Sequence, residues 1–120
     1  MKFFLLSAFL FFCAQNLHAQ IRSLPTGKYE TTMKKNQSKW ERGDIILLDA
    51  NKYKISTSDE VGEYKFSSAA QRIFFISGPL KSFYAKTSEN NNTPTIVLPV
   101  SENEQMGVNL SSEVWCYLKH

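Results

Sequence analysis

Two glycine–x–tyrosine steps, Gly27-Lys28-Tyr29 and Gly62-Glu63-Tyr64, constrain this chain more than any other feature. Each opens a stretch in which apolar and polar residues alternate, and each is followed by a run of large apolar residues. After Gly27, Tyr29, Thr31 and Met33 fall on one face, and Lys28, Glu30 and Thr32 on the other. After Gly62, Tyr64 and Phe66 share a face. A period of two marks a half-buried strand. A turn glycine feeding a tyrosine-bearing strand, twice in 120 residues, predicts antiparallel β structure.

The repeat extends beyond these steps. Asp44 to Asp49 encloses Ile45-Ile46-Leu47-Leu48, an apolar run of strand length. Asp49-Ala50-Asn51 is a turn signal, and Lys52 to Thr57 alternates again with Tyr53 and Ile55 inward, so the two segments read as a hairpin. In the second copy the apolar run is Ile73-Phe74-Phe75-Ile76. Ser77-Gly78-Pro79 then turns the chain, because glycine tolerates positive φ and proline presets its own. Leu80 to Lys86 is expected as a strand carrying Phe83 and Tyr84. One unit of three strands thus occurs twice, the first copy with a longer internal loop, Lys34 to Arg42, polar except for Trp40.

Thr87 to Thr93, with no large apolar residue, reads as a mobile loop. Thr95 to Val100 is a strand bounded by Pro94 and Pro99, and Ser101 to Gln105 a second polar loop. Glu113 to Lys119 closes the chain with Val114, Cys116 and Leu118 on one face. No window places apolar residues at helical spacing, so no helix is expected. The sum is an all-β domain, an antiparallel meander of about eight short strands, barrel-like or a small sandwich. Consecutive pairing is the simplest topology, and closure would remove the edges that attract other chains.

The N-terminus has a different character. Met1-Lys2 is a positive start, Phe3 to Phe12 is almost wholly apolar, and Leu17-His18-Ala19 precedes Gln20. That order describes a secretory signal peptide over 1–19, cleaved near Ala19, leaving a single domain over 20–120. The apolar run is about ten residues, short of the roughly 20 that span a bilayer, so no stable membrane span is expected in the mature chain. Cys13 follows Phe11 and Phe12, where a lipoprotein signal wants small residues. The expected location is secreted or periplasmic, and the short phenylalanine-rich signal looks bacterial. Asn36, Asn91 and Asn109 fit the glycosylation acceptor pattern, which matters only in a eukaryotic source.

Composition argues against several function classes. The formal net charge is +3 with the charges interleaved, so no basic stripe for nucleic acid is visible. Past the signal the chain has one histidine, His120, and one cysteine, Cys116. No catalytic triad, metal-ligand spacing or cofactor motif is found, and the domain is expected to be non-enzymatic. Asp44 with Asp49, and Glu60 with Glu63, flank strands, where turn chemistry accounts for acidic residues. Cys116 reads as a buried structural thiol.

The candidate ligand- or partner-binding residues are aromatic: Trp40, Tyr29, Tyr64 and Phe74. The tyrosines and Phe74 either build a core with hydroxyls at its margin or line a barrel that admits a small ligand. Trp40, in a polar loop, either plugs the barrel mouth or meets a partner. The function expected is a binding module for a small apolar ligand or a protein surface. The alternative is an inhibitor of a secreted protease, acting through an exposed loop or terminus.

With Gly27-Lys28-Tyr29, Ile45 to Leu48, Gly62-Glu63-Tyr64, Ile73 to Pro79 and Cys116 in place, the chain resembles small secreted bacterial β-proteins of uncharacterised function. Their pattern is Gly-x-Tyr-x-Cys, an apolar strand, a second Gly-x-Tyr, a strand ending Ser-Gly-Pro, and a last strand with cysteine. Thr31 stands where that pattern places its first cysteine, so the implied bridge to Cys116 is absent. Size and strand count are also similar to calycin barrels, which include lipocalins and small bacterial protease inhibitors. Lipocalins open on Gly-x-Trp where this chain has Gly-x-Tyr.

Overall fold

Each strand pairs with the next in sequence, and the last returns to the first. The computed structural model describes residues 21–119; the expected signal peptide, 1–19, lies outside the described residues. The strands are β1 (Gly27–Met33), β2 (Ile45–Leu47), β3 (Lys52–Ile55), β4 (Gly62–Ser67), β5 (Arg72–Phe75), β6 (Tyr84–Asn90), β7 (Thr93–Leu98) and β8 (Val114–Leu118). Every pairing is antiparallel, and β8 pairs onto β1, so the sheet closes as a barrel rather than a sandwich. No helix among the described residues is long and apolar enough to cross a membrane.

Alternation decides the interior. Tyr29 and Thr31 on β1, Ile45 and Leu47 on β2, Tyr53 and Ile55 on β3, and Val114 and Cys116 on β8 are all buried. So are Tyr64, Ile73, Phe75, Ala85, Ile96 and Leu98. An eight-stranded barrel is just wide enough for side chains to fill. Tyr53 meets Phe75 in a tilted contact at 4.9 Å and the edge of Tyr64 at 6.3 Å.

The two glycine–tyrosine steps play matching parts. The Tyr29 hydroxyl donates to the Pro25 carbonyl at 2.8 Å, and the Tyr64 hydroxyl to the Asp49 carbonyl at 2.7 Å. Both rings lie in the core with their polar tips tied to backbone at one rim. Gly27 has φ +134°. Gly62 packs against the Ser77–Gly78 turn so closely that a Cβ there would collide with the Ser77 carbonyl oxygen and the Gly78 Cα.

The register separates two unlike ends. Tight turns at 48–51, 68–71 and 91–92 gather at one end, with the lead-in 21–26. The connections 34–44, 56–61, 76–83 and 99–113 gather at the other, the loop end.

Three expectations are corrected here. The expected mobile loop, Thr87 to Thr93, is the end of β6 and a two-residue hairpin. Ser88, Glu89 and Asn90 pair with Thr95, Pro94 and Thr93, and Asn91 and Asn92 take φ of 53° and 64°. Two successive left-handed residues are what the common hairpin turn requires, and asparagine tolerates them. Leu80 to Phe83 is a turn, Phe83 N–H donating to Leu80 O at 3.0 Å, so the strand starts only at Tyr84. The expected loop Ser101 to Gln105 belongs to a short helix, α1 (Val100–Gln105). Its anchor is Asn103, 0% exposed, whose amide accepts from Tyr84 N–H at 2.7 Å and donates to the carbonyls of Tyr84 and Pro99 at 3.0 and 2.6 Å. Tertiary bonds, not helical periodicity, hold that turn.

Barrel closure also juxtaposes Thr31 and Cys116, the positions between which the resemblance implies a bridge. They are cross-strand partners, 5% and 0% exposed. Lys119 N–H donates to Lys28 O at 2.8 Å, which makes Thr31–Cys116 a non-hydrogen-bonded pair, the kind with the closer side chains. Thr31→Cys is therefore expected to form an intramolecular disulfide with Cys116 on mild oxidation and to raise stability by about 2–4 kcal/mol. Intact mass and thiol titration check it; two free thiols after oxidation would show that the register is wrong.

Candidate functional site

Of the aromatic candidates, Tyr29, Tyr64 and Trp40 share the buried core cluster, and Phe74 lies outside it. Tyr29 and Tyr64 are core residues, 0% and 2% exposed. Burial pushes both phenols above their ordinary range, each helped by a neighbour, Tyr64 beside Tyr29 and Asp49 beside Tyr64. Tyr53 behaves alike: burial pushes it up to about 12, with a small contribution from Glu60, although the Leu80 N–H bond opposes the shift. These phenols are neutral packing groups. Phe74 points the other way. Ile73 and Phe75 occupy the inward positions of β5, so Phe74 lies outside, 39% exposed, and lines no interior cavity with Tyr29 and Tyr64. The Arg72 guanidinium sits between Phe74 and Tyr84, 4.3 and 4.1 Å from their ring centroids.

Trp40 closes the loop end. It is 4% exposed and meets Phe83 edge-on at 5.6 Å, while Arg42 covers Phe83 from 5.0 Å. Of the two roles open to a loop tryptophan, its side chain occupies the plug position.

A buried carboxylate anchors that plug. The Asp44 side chain is 2% exposed and lies 2.9 Å from Lys39 Nζ and 3.5 Å from Lys28 Nζ. It accepts the Thr31 N–H at 3.2 Å, at a point where β2 has already diverged from β1. Burial alone would raise its pKa. The Lys39 hydrogen bond, the Thr31 amide and the two lysine charges outweigh burial and hold it below the ordinary carboxylate value. Cys116 lies in the same region. Burial, with Asp44 nearby, pushes its thiol far above the ordinary value, so it is a protonated core group rather than a nucleophile. Among the described residues no three His, Cys, Asp or Glu side chains are placed to hold a metal ion.

A larger accessible concavity lies at the turn end. It is an open cleft of about 480 Å³ between the lead-in and β4, with Leu24, Tyr64, Phe66 and Ile76 as apolar lining and Arg22, Asn51, Glu63 and Lys65 as polar lining. Its origin is a mismatch between neighbours. β3 and β4 share only the pairs Lys52↔Glu63 and Tyr53↔Gly62, with Tyr64 N–H donating to Asn51 O at 3.0 Å. There β3 has turned back, but β4 continues to Ser67. The lead-in crosses this opening, fixed by Gln71, which accepts Ile21 N–H at 3.1 Å and donates to Ile21 O at 2.6 Å.

Of the residues that line the cleft, Tyr64 is the one that the sequence offers as a binding candidate; Asn51, Glu63, Phe66 and Ile76 read there as strand or turn residues. The available signal was the lead-in itself, where Leu24 is an isolated apolar residue beside Pro25. A smaller recess of about 160 Å³ at the loop end is lined by Met33, Lys39, Trp40, Glu41 and 109–111.

No protein-family model, curated protein or solved structure matches the chain.

The Asp44 cluster has a pH signature. A carboxyl held low in the folded state contributes stability that is complete above its unfolded value, near 4, and is lost as pH falls through the lower folded value. Asp44→Asn is expected to cost about 1–3 kcal/mol at pH 7. Its melting temperature should then fall less than that of the wild type on acidification below about pH 4. Thermal melts of both proteins across that range check the sign; parallel curves would remove Asp44 from the account.

Proposed function

We propose that this chain is a secreted, non-enzymatic binding module that engages its ligand or partner at the turn-end cleft. The observation that supports this reading most is the contrast between the inside of the barrel and this opening. Tyr29, Tyr53 and Tyr64 fill the interior, and Trp40 covers the loop end. The cleft offers Leu24, Phe66 and Ile76 to an incoming group, over the buried ring of Tyr64. An apolar recess with a few polar groups at its margin is the usual form of a recognition site. Ile76, 52% exposed, extends the apolar lining to the outer surface, where the nearby Phe74 adds an exposed ring.

The non-enzymatic part of the proposal rests on the states of the reactive groups. The buried carboxylate of Asp44 is neutralised by two lysines, and the Cys116 thiol is buried and protonated.

Capture from the native secretome tests the proposal. The mature wild-type domain should retain a species that native mass spectrometry identifies as bound one to one. Ile76→Lys, at an exposed position, and Phe66→Ala, in the cleft wall, should keep a cooperative melt. Each should reduce retention about tenfold, the loss expected for about 1.4 kcal/mol of apolar contact. Equal retention by wild type and both variants would move the binding surface elsewhere.

A further inference from the structure

We infer that the cleft takes an extended, acidic segment of a partner polypeptide, added as a short strand to the open edge of β4. This rests on the reading of the cleft as the binding surface and states what fills it. Three observations point to a polypeptide of this chemistry.

The first is the backbone. Ile76 N–H donates to Glu63 O at 2.8 Å, so Glu63, Lys65 and Ser67 direct their main-chain groups toward β5. Tyr64 and Phe66 direct theirs to the opposite side. Tyr64 finds Asn51 there, but for Phe66 the turn at 49–51 has already carried the chain away. Among the described residues no strand pairs with Phe66 on that side. Among the described residues its N–H and C=O have no main-chain partner on that side, and such an unpaired donor and acceptor is the template that strand addition uses.

The second is alternation. Tyr64 and Phe66 face inward beside Leu24, while Lys65 faces outward. A strand laid on this edge would meet apolar surface with one set of side chains and Lys65 with the other.

The third is charge. Lys65 and Arg22 are both exposed, and neither has an ion-pair partner among the described residues. Glu63, the acidic residue of the cleft, is already paired with Lys52 at 3.3 Å. The cleft therefore presents two uncompensated cations, which favour Asp or Glu in the occupant. A small apolar carboxylate would satisfy the cations and the lining but would leave the Phe66 main chain unpaired.

The test uses the full exported chain and a phage-displayed library of random peptides of about seven residues, the length of an ordinary strand. Enriched peptides should alternate apolar residues with Asp or Glu. Adding one to the ¹⁵N-labelled protein should slow hydrogen exchange of the Phe66 amide. The double variant Arg22→Glu, Lys65→Glu, at two exposed sites, should weaken that peptide about tenfold, a change of about 1.4 kcal/mol. Panned afresh, it should select basic residues instead. Enrichment of peptides that leave Phe66 exchange unchanged would overturn strand addition, as would no enrichment at all. Dodecanoate serves as the competing probe. If it shifts the Leu24 and Phe66 resonances while no peptide is enriched, the cleft binds a small amphiphile. The binding reading then survives and the strand proposal fails. If neither probe touches the cleft and secretome capture is also insensitive to its residues, both readings fail.

Discussion

The pairing of β8 with β1 is the constraint on which the rest of the molecule depends. Five residue pairs, from Tyr29↔Leu118 to Met33↔Val114, turn an eight-strand meander into a closed barrel. Closure fixes the diameter, and the diameter fixes what the interior can hold. In this chain the interior is taken up by tyrosines and branched aliphatic side chains, with the tyrosine hydroxyls tied to backbone carbonyls near the rims. Closure also removes the two outer edges that an open sheet would present. One local defect stays open among the described residues, the place where β4 outruns β3.

The two ends of the barrel answer the same problem differently. A barrel mouth exposes core side chains and must be covered. At the loop end Trp40 covers it, and the ion cluster at Asp44 fixes the loop that carries Trp40. Gly43 N–H donates to Trp40 O at 2.9 Å, so the tryptophan, the turn and the buried carboxylate form one local unit. At the turn end the cover is the lead-in, held by the reciprocal bonds between Ile21 and Gln71 and by Tyr29 on Pro25. That cover is partial, and the cleft is what it leaves open. The binding proposal follows from this asymmetry rather than from any single residue.

Much of the architecture could be read from the residues because strands of period two announce themselves. The Gly27 and Gly62 segments, the Ile45–Leu47 run with its Asp49-Ala50-Asn51 turn, and the last strand all alternate or are bounded by turn residues. Phe74 was obscure because Ile73 to Ile76 is apolar throughout, so alternation carries no information there and the register decides which side faces out. The helix at Val100–Gln105 was obscure because it is held by Asn103 reaching the main chain of Tyr84, a tertiary contact with no local pattern. Trp40 could not be oriented from a polar loop whose anchor, Asp44, read as an ordinary turn aspartate. The cleft was least legible. It arises from unequal lengths of paired strands and from a lead-in crossing above them, and neither is encoded in one stretch of sequence.

Amide hydrogen exchange of the free, mature protein tests the central claim most directly: a sheet closed at β1–β8 and open at one position of β4. The account predicts slow exchange along the β1–β8 seam. In β4 it predicts a contrast between neighbours, with Lys65 and Ser67 protected by β5, Tyr64 protected by Asn51, and Phe66 exchanging freely. Protection of Phe66 equal to that of its neighbours, or fast exchange along the β1–β8 seam, would contradict it.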